Sequence, residues 1–119
     1  MLREYELTVV INSQVPEEEI KKLHKKYESI LLQDGGEVIK KSHWGNKKLA
    51  FPVKKHFRGN FVHYDLTTLP SWLAEAERLM RIDENILRYL SIRIGENVDP
   101  TERKAQLAKM EARAAKAEM

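Results

Sequence analysis

The sequence of 119 residues predicts one α+β domain whose strands and helices follow in the order β-α-β-β-α-β. Three observations lead to this prediction. Apolar residues alternate along residues 4–11, which is the period of a strand. Apolar residues recur at steps of three and four from Ile20 to Leu31 and again from Trp72 to Met80, which is the period of a helix. A long stretch of extended character separates the two helices.

The first strand and the first helix are joined by the polar turn Asn12 to Gln14. Every second residue from Tyr5 to Ile11 is apolar, so one face of this strand is predicted to line a core. Pro16 suits the first turn of a helix, and the three glutamates after it lie where the helix dipole favours negative charge. Asp34-Gly35-Gly36 is predicted to end the helix, because glycine readily adopts the left-handed backbone conformation.

The second and third strands are predicted at residues 37–55 and 61–66. In the second strand, alternation assigns three side chains to the core: Leu49, Phe51 and Val53. In the third strand, alternation places three side chains on one face: Val62, Tyr64 and Leu66.

Glycine and proline residues predict a bulge, an edge position and a turn in this stretch. Gly45 interrupts the alternation and indicates a β-bulge. Pro52 cannot donate a ladder hydrogen bond, so it favours an edge position for the second strand. Arg58-Gly59-Asn60 is interpreted as the hairpin turn between the two strands.

The second helix opens at Pro70, and the fourth strand is predicted at residues 86–94. Both faces of this strand are partly apolar: Leu87 and Tyr89 lie opposite a set formed by Ile86, Leu90, Ile92 and Ile94. A sheet with helices on one side usually presents a polar second face, so we expect a partner protein to cover the outer face. The complete order is that of a ferredoxin-like split βαβ fold, with two helices on one face of a four-stranded antiparallel sheet.

The C-terminal residues differ in composition from the predicted domain, residues 1–98. Asp99-Pro100 separates them, and residues 101–119 contain six alanines, five basic residues and three glutamates. A segment of this kind can be helical but has few large apolar side chains to bury. We interpret residues 99–119 as an Ala/Lys/Glu-rich extension that is mobile or ordered by a partner; a solubilising tail is the alternative.

Charge is segregated along the chain. The net charge is +3, and no Asp or Glu occurs from Val38 to Tyr64, a stretch with seven Lys and Arg and three of the four histidines. Aromatic residues alternate with the basic ones there, and this pattern favours a positive surface that attracts nucleic acid. The alternative is a solvated strand pair whose lysines only discourage edge-to-edge aggregation.

Several function classes are disfavoured. The chain has no cysteine, its histidines do not occur at metal-site spacing, and no apolar run approaches the roughly 20 residues that span a bilayer. Acids near the N-terminus argue against a signal peptide, so we expect a cytosolic protein. An acylphosphatase-like enzyme would need an arginine in the loop after the first strand, and Asn12 to Pro16 supplies none. The aromatic signature of an RNA recognition motif is also absent from Phe61-Val62-His63-Tyr64.

The segment from Gly45 to Lys54, Gly-Asn-Lys-Lys-Leu-Ala-Phe-Pro-Val-Lys, resembles the signature of bacterial small-subunit ribosomal protein six. Phe51 and Val53 stand where the family usually has Tyr and Ile. Arg3 to Glu6, Gly59 to Tyr64 and Arg81 to Arg88 resemble other parts of the family, so the resemblance extends over about residues 2–95.

The resemblance implies a structural, non-enzymatic protein of the small ribosomal subunit in the cytoplasm, with no catalytic residue, metal, cofactor or small-molecule substrate. It implies binding to the central domain of small-subunit ribosomal RNA, as a heterodimer with small-subunit ribosomal protein eighteen. Carried over by position, the implied RNA contacts are Arg3, Lys47, Lys48, Lys54, Arg81, Arg88 and Arg93. A module that only oligomerises through its sheet remains a competing hypothesis.

Overall fold

The computed structural model describes residues 1–117 and shows the predicted order of elements, followed by one more helix. The elements are β1 (Arg3–Asn12), α1 (Glu17–Leu31), β2 (Glu37–Val53), β3 (His56–Thr68), α2 (Pro70–Ile82), β4 (Ile86–Glu96) and α3 (Pro100–Ala117). A 3-10 turn at Gln33–Gly35 follows α1. The strands form one antiparallel sheet in the order β2-β3-β1-β4, so the predicted ferredoxin-like α+β fold is confirmed.

The main core lies between one face of the sheet, here called the inner face, and the helices α1 and α2. The alternating apolar residues of β1 and β3 all point into it, as predicted. The helices contribute Tyr27 and Leu31 from α1 and Leu73, Ala76 and Met80 from α2. Burying a side chain of this size contributes roughly 1.5–3 kcal/mol, so this layer dominates the stability of the fold.

The hairpin turn lies at Lys54 and Lys55, and the prediction of a turn at Arg58-Gly59-Asn60 is wrong. Both lysines have positive φ angles, 49° and 67°, and Val53 pairs with His56 across them. Residues 58–60 instead lie inside β3, where they pair with residues 46–48 of β2. Gly59 is needed for close packing, because a Cβ there would lie 2.4 Å from Cγ1 of Val10.

The second strand contributes to a smaller cluster on the opposite, outer face of the sheet. Leu49 is buried there with Val10 and Leu87, and Val53 packs against them. The assignment of Phe51 to the core is wrong, since its side chain is 74% exposed. The register between β2 and β3 shifts after Lys48, so simple alternation fails in this part of the strand.

Two other predictions for β2 are confirmed. The register shifts between His43 and Gly45, where Gly45 has a φ of 83°, so a bulge lies at this glycine. Pro52 lies in β2, which is an edge strand of the sheet.

A bulge also corrects the prediction for the fourth strand. Ile11 pairs with Ile86 and Val10 with Arg88, so Leu87 is the additional residue. Ile86 therefore points into the main core, while Leu90 and Ile92 lie on the outer face at 60% and 49% exposure. The exposed apolar part of the outer face on β4 therefore begins after the bulge, at Leu90.

The extension beyond residue 98 forms the helix α3 over most of its length. It is held against the outer face by ion pairs, described below, and the side chains of residues 100–115 are largely exposed. The domain boundary at residues 98–99 and the mobile or partner-ordered character of the extension stay predictions. Residues 118–119 of that extension lie outside the described range.

Candidate nucleic-acid interface

The two ends of the sheet differ in their charged residues. The hairpin end is where β1 finishes, β2 turns into β3, and β4 begins; the tail end is where β1 begins and β4 finishes. All five acidic residues of the strands lie in the half of the sheet towards the tail end: Glu4, Glu6, Glu37, Asp65 and Glu96. The acids near the hairpin end, such as Glu17 and Asp83, belong to the helix layer and its loops.

The hairpin end holds five of the seven predicted RNA contacts: Lys47, Lys48, Lys54, Arg81 and Arg88. Their side chains are exposed, and within residues 1–117 none of them lies within 4.0 Å of a carboxylate. Their charges are therefore not neutralised by the protein itself. Unpaired cations on one surface raise the local concentration of polyanions.

Three of these cations line one groove of about 260 Å³ at the start of β4. Lys54 reaches it from the hairpin turn and donates a hydrogen bond from Nζ to the carbonyl oxygen of Ile86, at 3.1 Å. Arg81, in the last turn of α2, donates from Nε to the Tyr89 hydroxyl, at 3.2 Å. Arg88 lines the same groove from β4. The hairpin turn, the end of α2 and β4 thus bring together residues that are far apart in sequence.

Lys47 and Lys48 lie on β2, near two further cations that the prediction left out. Lys48 pairs across the ladder with Arg58, whose Nε donates to Oδ1 of Asn46 at 2.8 Å. Lys55 is exposed beside Lys54 in the turn. Both Lys55 and Arg58 belong to the acid-free stretch, and that stretch was the available signal for including them.

Arg3 and Arg93 lie at the tail end, away from the other five. Arg3 begins β1 opposite Glu96, and Arg93 pairs across the ladder with Tyr5. An ion pair joins Nη1 of Arg93 to Oε1 of Glu96 at 2.9 Å. The structure therefore does not bring all seven predicted contacts together on one surface.

At the tail end, cations are matched by acids. Arg103 of α3 donates from Nε to both carboxylate oxygens of Glu4, at 2.9 and 3.1 Å, and the Glu4 side chain is only 4% exposed. Lys104 pairs with Glu37 at 2.9 Å, and Lys40 pairs with Glu111 at 2.7 Å. Burial and the neighbouring carboxylate of Glu4 raise the pKa of Asp65 to about 7.

The histidines of residues 1–117 take part in hydrogen bonds and ring contacts rather than in a metal cluster. His24 is buried, and its Nδ1 lies 2.7 Å from the Tyr64 hydroxyl. Burial, with Lys41 and His43 nearby, lowers the pKa of His24 to about 4, so its ring is neutral at pH 7. Within the described residues, no three His, Asp or Glu side chains are grouped as a metal site would require, and no helix is long and apolar enough to cross a membrane.

A ferredoxin-like sheet with unpaired cations at one end is typical of proteins that bind polyanions. Residues 4–93 match the family model described as Ribosomal protein S6. The chain belongs to this family, and the resemblance found in the sequence is confirmed.

Proteins similar in sequence to this chain carry the name of the same family. The chain is 35% identical over 107 residues to small ribosomal subunit protein bS6 of Syntrophobacter fumaroxidans, a match that covers 90% of this chain and 73% of the relative. It is 36% identical over 92 residues to the bS6 protein of Caldanaerobacter subterraneus, covering 77% and 97%. The crystal structure of 30S ribosomal protein S6 from Thermotoga maritima superposes with a TM-score of 0.71 at 26% identity, covering 97% of this chain and 99% of that one.

Family membership decides several predictions at once. The protein is a component of the small ribosomal subunit, and it therefore works in the cytoplasm. The family consists of structural ribosomal proteins, so the prediction that the chain is not an enzyme is confirmed. The acylphosphatase alternative is thereby removed.

Proposed function

We propose that this protein binds the central domain of small-subunit ribosomal RNA as a heterodimer with small-subunit ribosomal protein eighteen. The hairpin end of the sheet is the proposed RNA surface, with Lys47, Lys48, Lys54, Arg81 and Arg88 as contacts. Arg3 and Arg93 are proposed as secondary contacts at the tail end. The protein would position and stabilise folded RNA without chemistry.

The absence of acidic partners at the hairpin end is the observation that carries this proposal. Within residues 1–117 the ion pairs lie elsewhere: within α2, between α1 and the middle of β2, and towards the tail end. A lysine already paired with a carboxylate must lose that pair before it meets a phosphate, whereas an unpaired one does not. Each phosphate neutralised also releases condensed counterions, which favours binding at low salt.

The partner protein is proposed to cover the outer face along β4. Leu90, Ile92 and Ile94 are all at least 44% exposed there, on a strand at the edge of the sheet. Adjacent exposed apolar side chains of this size usually mark an interaction surface. Ser91, between them, donates a hydrogen bond to Glu77 of α2 on the inner side, so the strand itself is well anchored.

The test is charge reversal on β2. The double substitution Lys47→Glu with Lys48→Glu should weaken binding of a central-domain RNA fragment by about 10- to 100-fold at low salt and reduce the salt slope by about two. The matched control is Lys22→Glu with Lys25→Glu, which makes the same charge change on exposed lysines of α1. Binding is measured by filter retention with and without protein eighteen.

Equal weakening by the two double variants would show that only net charge matters and would remove the hairpin end as the RNA surface. Protein eighteen should raise the affinity of the wild type for the RNA. Light scattering separates the competing hypothesis: a stable homo-oligomer without RNA affinity would replace our proposal with a protein-only module.

A further inference from the structure

Trp44 is turned onto the outer face by the bulge in β2. His43 pairs with Val62 and Gly45 pairs with Phe61, so Trp44 is the additional residue between two ladder pairs. Gly45 has a φ of 83°, a conformation that favours glycine. A bulge of this kind redirects a side chain while pairing continues on both sides.

The indole ring lies flat on His63 of β3. The two ring centroids are 5.0 Å apart and the planes differ by 5°, which is an offset stack. Nδ1 of His63 lies 3.0 Å from the Thr8 hydroxyl of β1, so the imidazole is itself anchored to the central strand. The indole is 45% exposed. Trp44 is therefore an oriented aromatic surface that remains open to solvent.

The surroundings of this surface are cationic. The ammonium group of Lys47 lies 5.6 Å from the centre of the Trp44 ring, and Lys48 follows on the same strand. The acid-free stretch extends well beyond Trp44 in both directions. The exposed aliphatic residues of the outer face lie instead on β4, at the opposite edge of the sheet. A ligand that is flat, aromatic and attached to phosphates fits these features better than an apolar protein segment does.

We propose that Trp44, backed by His63, is a stacking platform for an unpaired base of RNA, with Lys47 contacting the adjoining phosphate. This inference rests on the proposed RNA-binding function and adds a contact to it. Indole and nucleobase stack without hydrogen bonds, so the platform accepts any base that the RNA fold presents unpaired. Lys47 sits over the ring in the free protein and would move from the ring to the phosphate on binding.

The experiment uses the full chain with one tryptophan at a time. The Trp72→Phe variant leaves Trp44 as the only tryptophan fluorophore. The Trp44→Phe variant leaves Trp72, which lies in α2 and donates a hydrogen bond from its indole N–H to Asp34. Titration with a central-domain RNA fragment should quench Trp44 along the same curve that filter retention gives, and should leave Trp72 unchanged. Trp44→Ala should weaken RNA binding by about 5- to 150-fold, the range for one lost stacked base, and Trp44→Phe should weaken it less.

The two proposals fail in different ways. The platform would be overturned, and RNA binding left intact, if the protein retained RNA on the filter while Trp44 fluorescence stayed unquenched and Trp44→Ala bound RNA with unchanged affinity. Quenching of Trp44 by protein eighteen alone would also overturn it, since the ring would then be a protein contact. Absence of RNA binding by the wild type, with or without protein eighteen, would overturn the proposed function itself. The quenching arm leaves Trp44 in place, so it holds even if Trp44→Ala lowers stability.

Discussion

Both ends of the sheet carry lysine and arginine, and they differ in what these side chains face. At the tail end, Arg103, Lys104 and Lys40 each meet a carboxylate within 2.9 Å. At the hairpin end, the cations meet carbonyl oxygens, a hydroxyl, an amide or an aromatic ring. Paired charges of the first kind bind the chain to itself, and unpaired charges of the second kind are free to bind another molecule.

Net charge is therefore a poor guide to function in this protein. The chain as a whole is only +3, yet all five acidic residues of its four strands lie towards one end of the sheet. Substitutions of the ion-paired residues that join α3 to the sheet at the tail end should therefore change stability and leave RNA affinity alone. Substitutions of cations at the hairpin end should do the reverse.

The largest expected effect on stability is at Arg103. Arg103→Gln leaves Glu4 buried without its cation and next to Asp65. The free energy of unfolding should fall by about 2–3 kcal/mol, less than for a fully buried ion pair, because Arg103 is partly exposed. Urea unfolding measures it. The matched control is Arg93→Gln, whose pair with Glu96 is more than half exposed on both sides and should cost less than about 0.5 kcal/mol.

The same pair of variants tests the division between the ends. Arg103→Gln should bind the RNA fragment as the wild type does, provided that it is assayed at a temperature where it is folded. Equal stability of the two variants would mean that α3 is not docked through Glu4 in solution.

The next effect is at the hairpin end, where stability comes from apolar packing. Gly59→Ala would place a Cβ 2.4 Å from Cγ1 of Val10, a stiff and buried side chain, and should cost about 2 kcal/mol. Combining it with Val10→Ala removes the clashing methyl, so the double variant should lose about 1 kcal/mol less than the sum of the single variants. Additive losses would show that the clash is relieved by backbone movement instead. Unlike the effect of Arg103→Gln, this loss should not change with salt.

Regular alternation was sufficient to predict much of the fold. The inner faces of β1 and β3 and the two helices followed from apolar spacing, because packing on one side enforces one period. The errors lie where the period breaks. Lys54 and Lys55 adopt a tight turn without Gly or Asn, and the extra residue Leu87 moves Ile86 to the inner face.

The candidate site was predictable in part. The acid-free stretch pointed to Lys47, Lys48 and Lys54, because sequence neighbours on a hairpin stay neighbours in space. Family resemblance added Arg81 and Arg88, which only the folded chain places beside Lys54. The pairing of Arg93 with Glu96 and the stacking of Trp44 on His63 depend on register and on bulges, and neither has a signal in composition.

The smallest effect is a pH dependence at the tail end. The Asp65 carboxyl faces Glu4 and Glu6 of β1, Lys40 of β2 and Arg103 of α3, and its pKa is about 7 in the fold against about 3.9 unfolded. A raised carboxyl pKa stabilises the fold below about pH 4, and this stability is lost as pH rises through 7. Asp65→Asn removes that loss and should be more stable than the wild type at pH 8 by about 1 kcal/mol, allowing for solvent screening.

His24 makes this variant more informative than the wild type. Its pKa of about 4 lies below the unfolded value of 6.5, so it destabilises the fold at low pH and ceases to do so as pH rises through 6.5. In the wild type the two opposite trends offset each other between pH 4 and 7. In Asp65→Asn only the histidine trend remains, so urea unfolding should show stability rising with pH over this range. The control Glu84→Gln, at an exposed position, should keep the wild-type dependence of unfolding free energy on pH. If Asp65→Asn also kept the wild-type dependence, the Asp65 carboxyl of the wild type would be an ordinary solvated group.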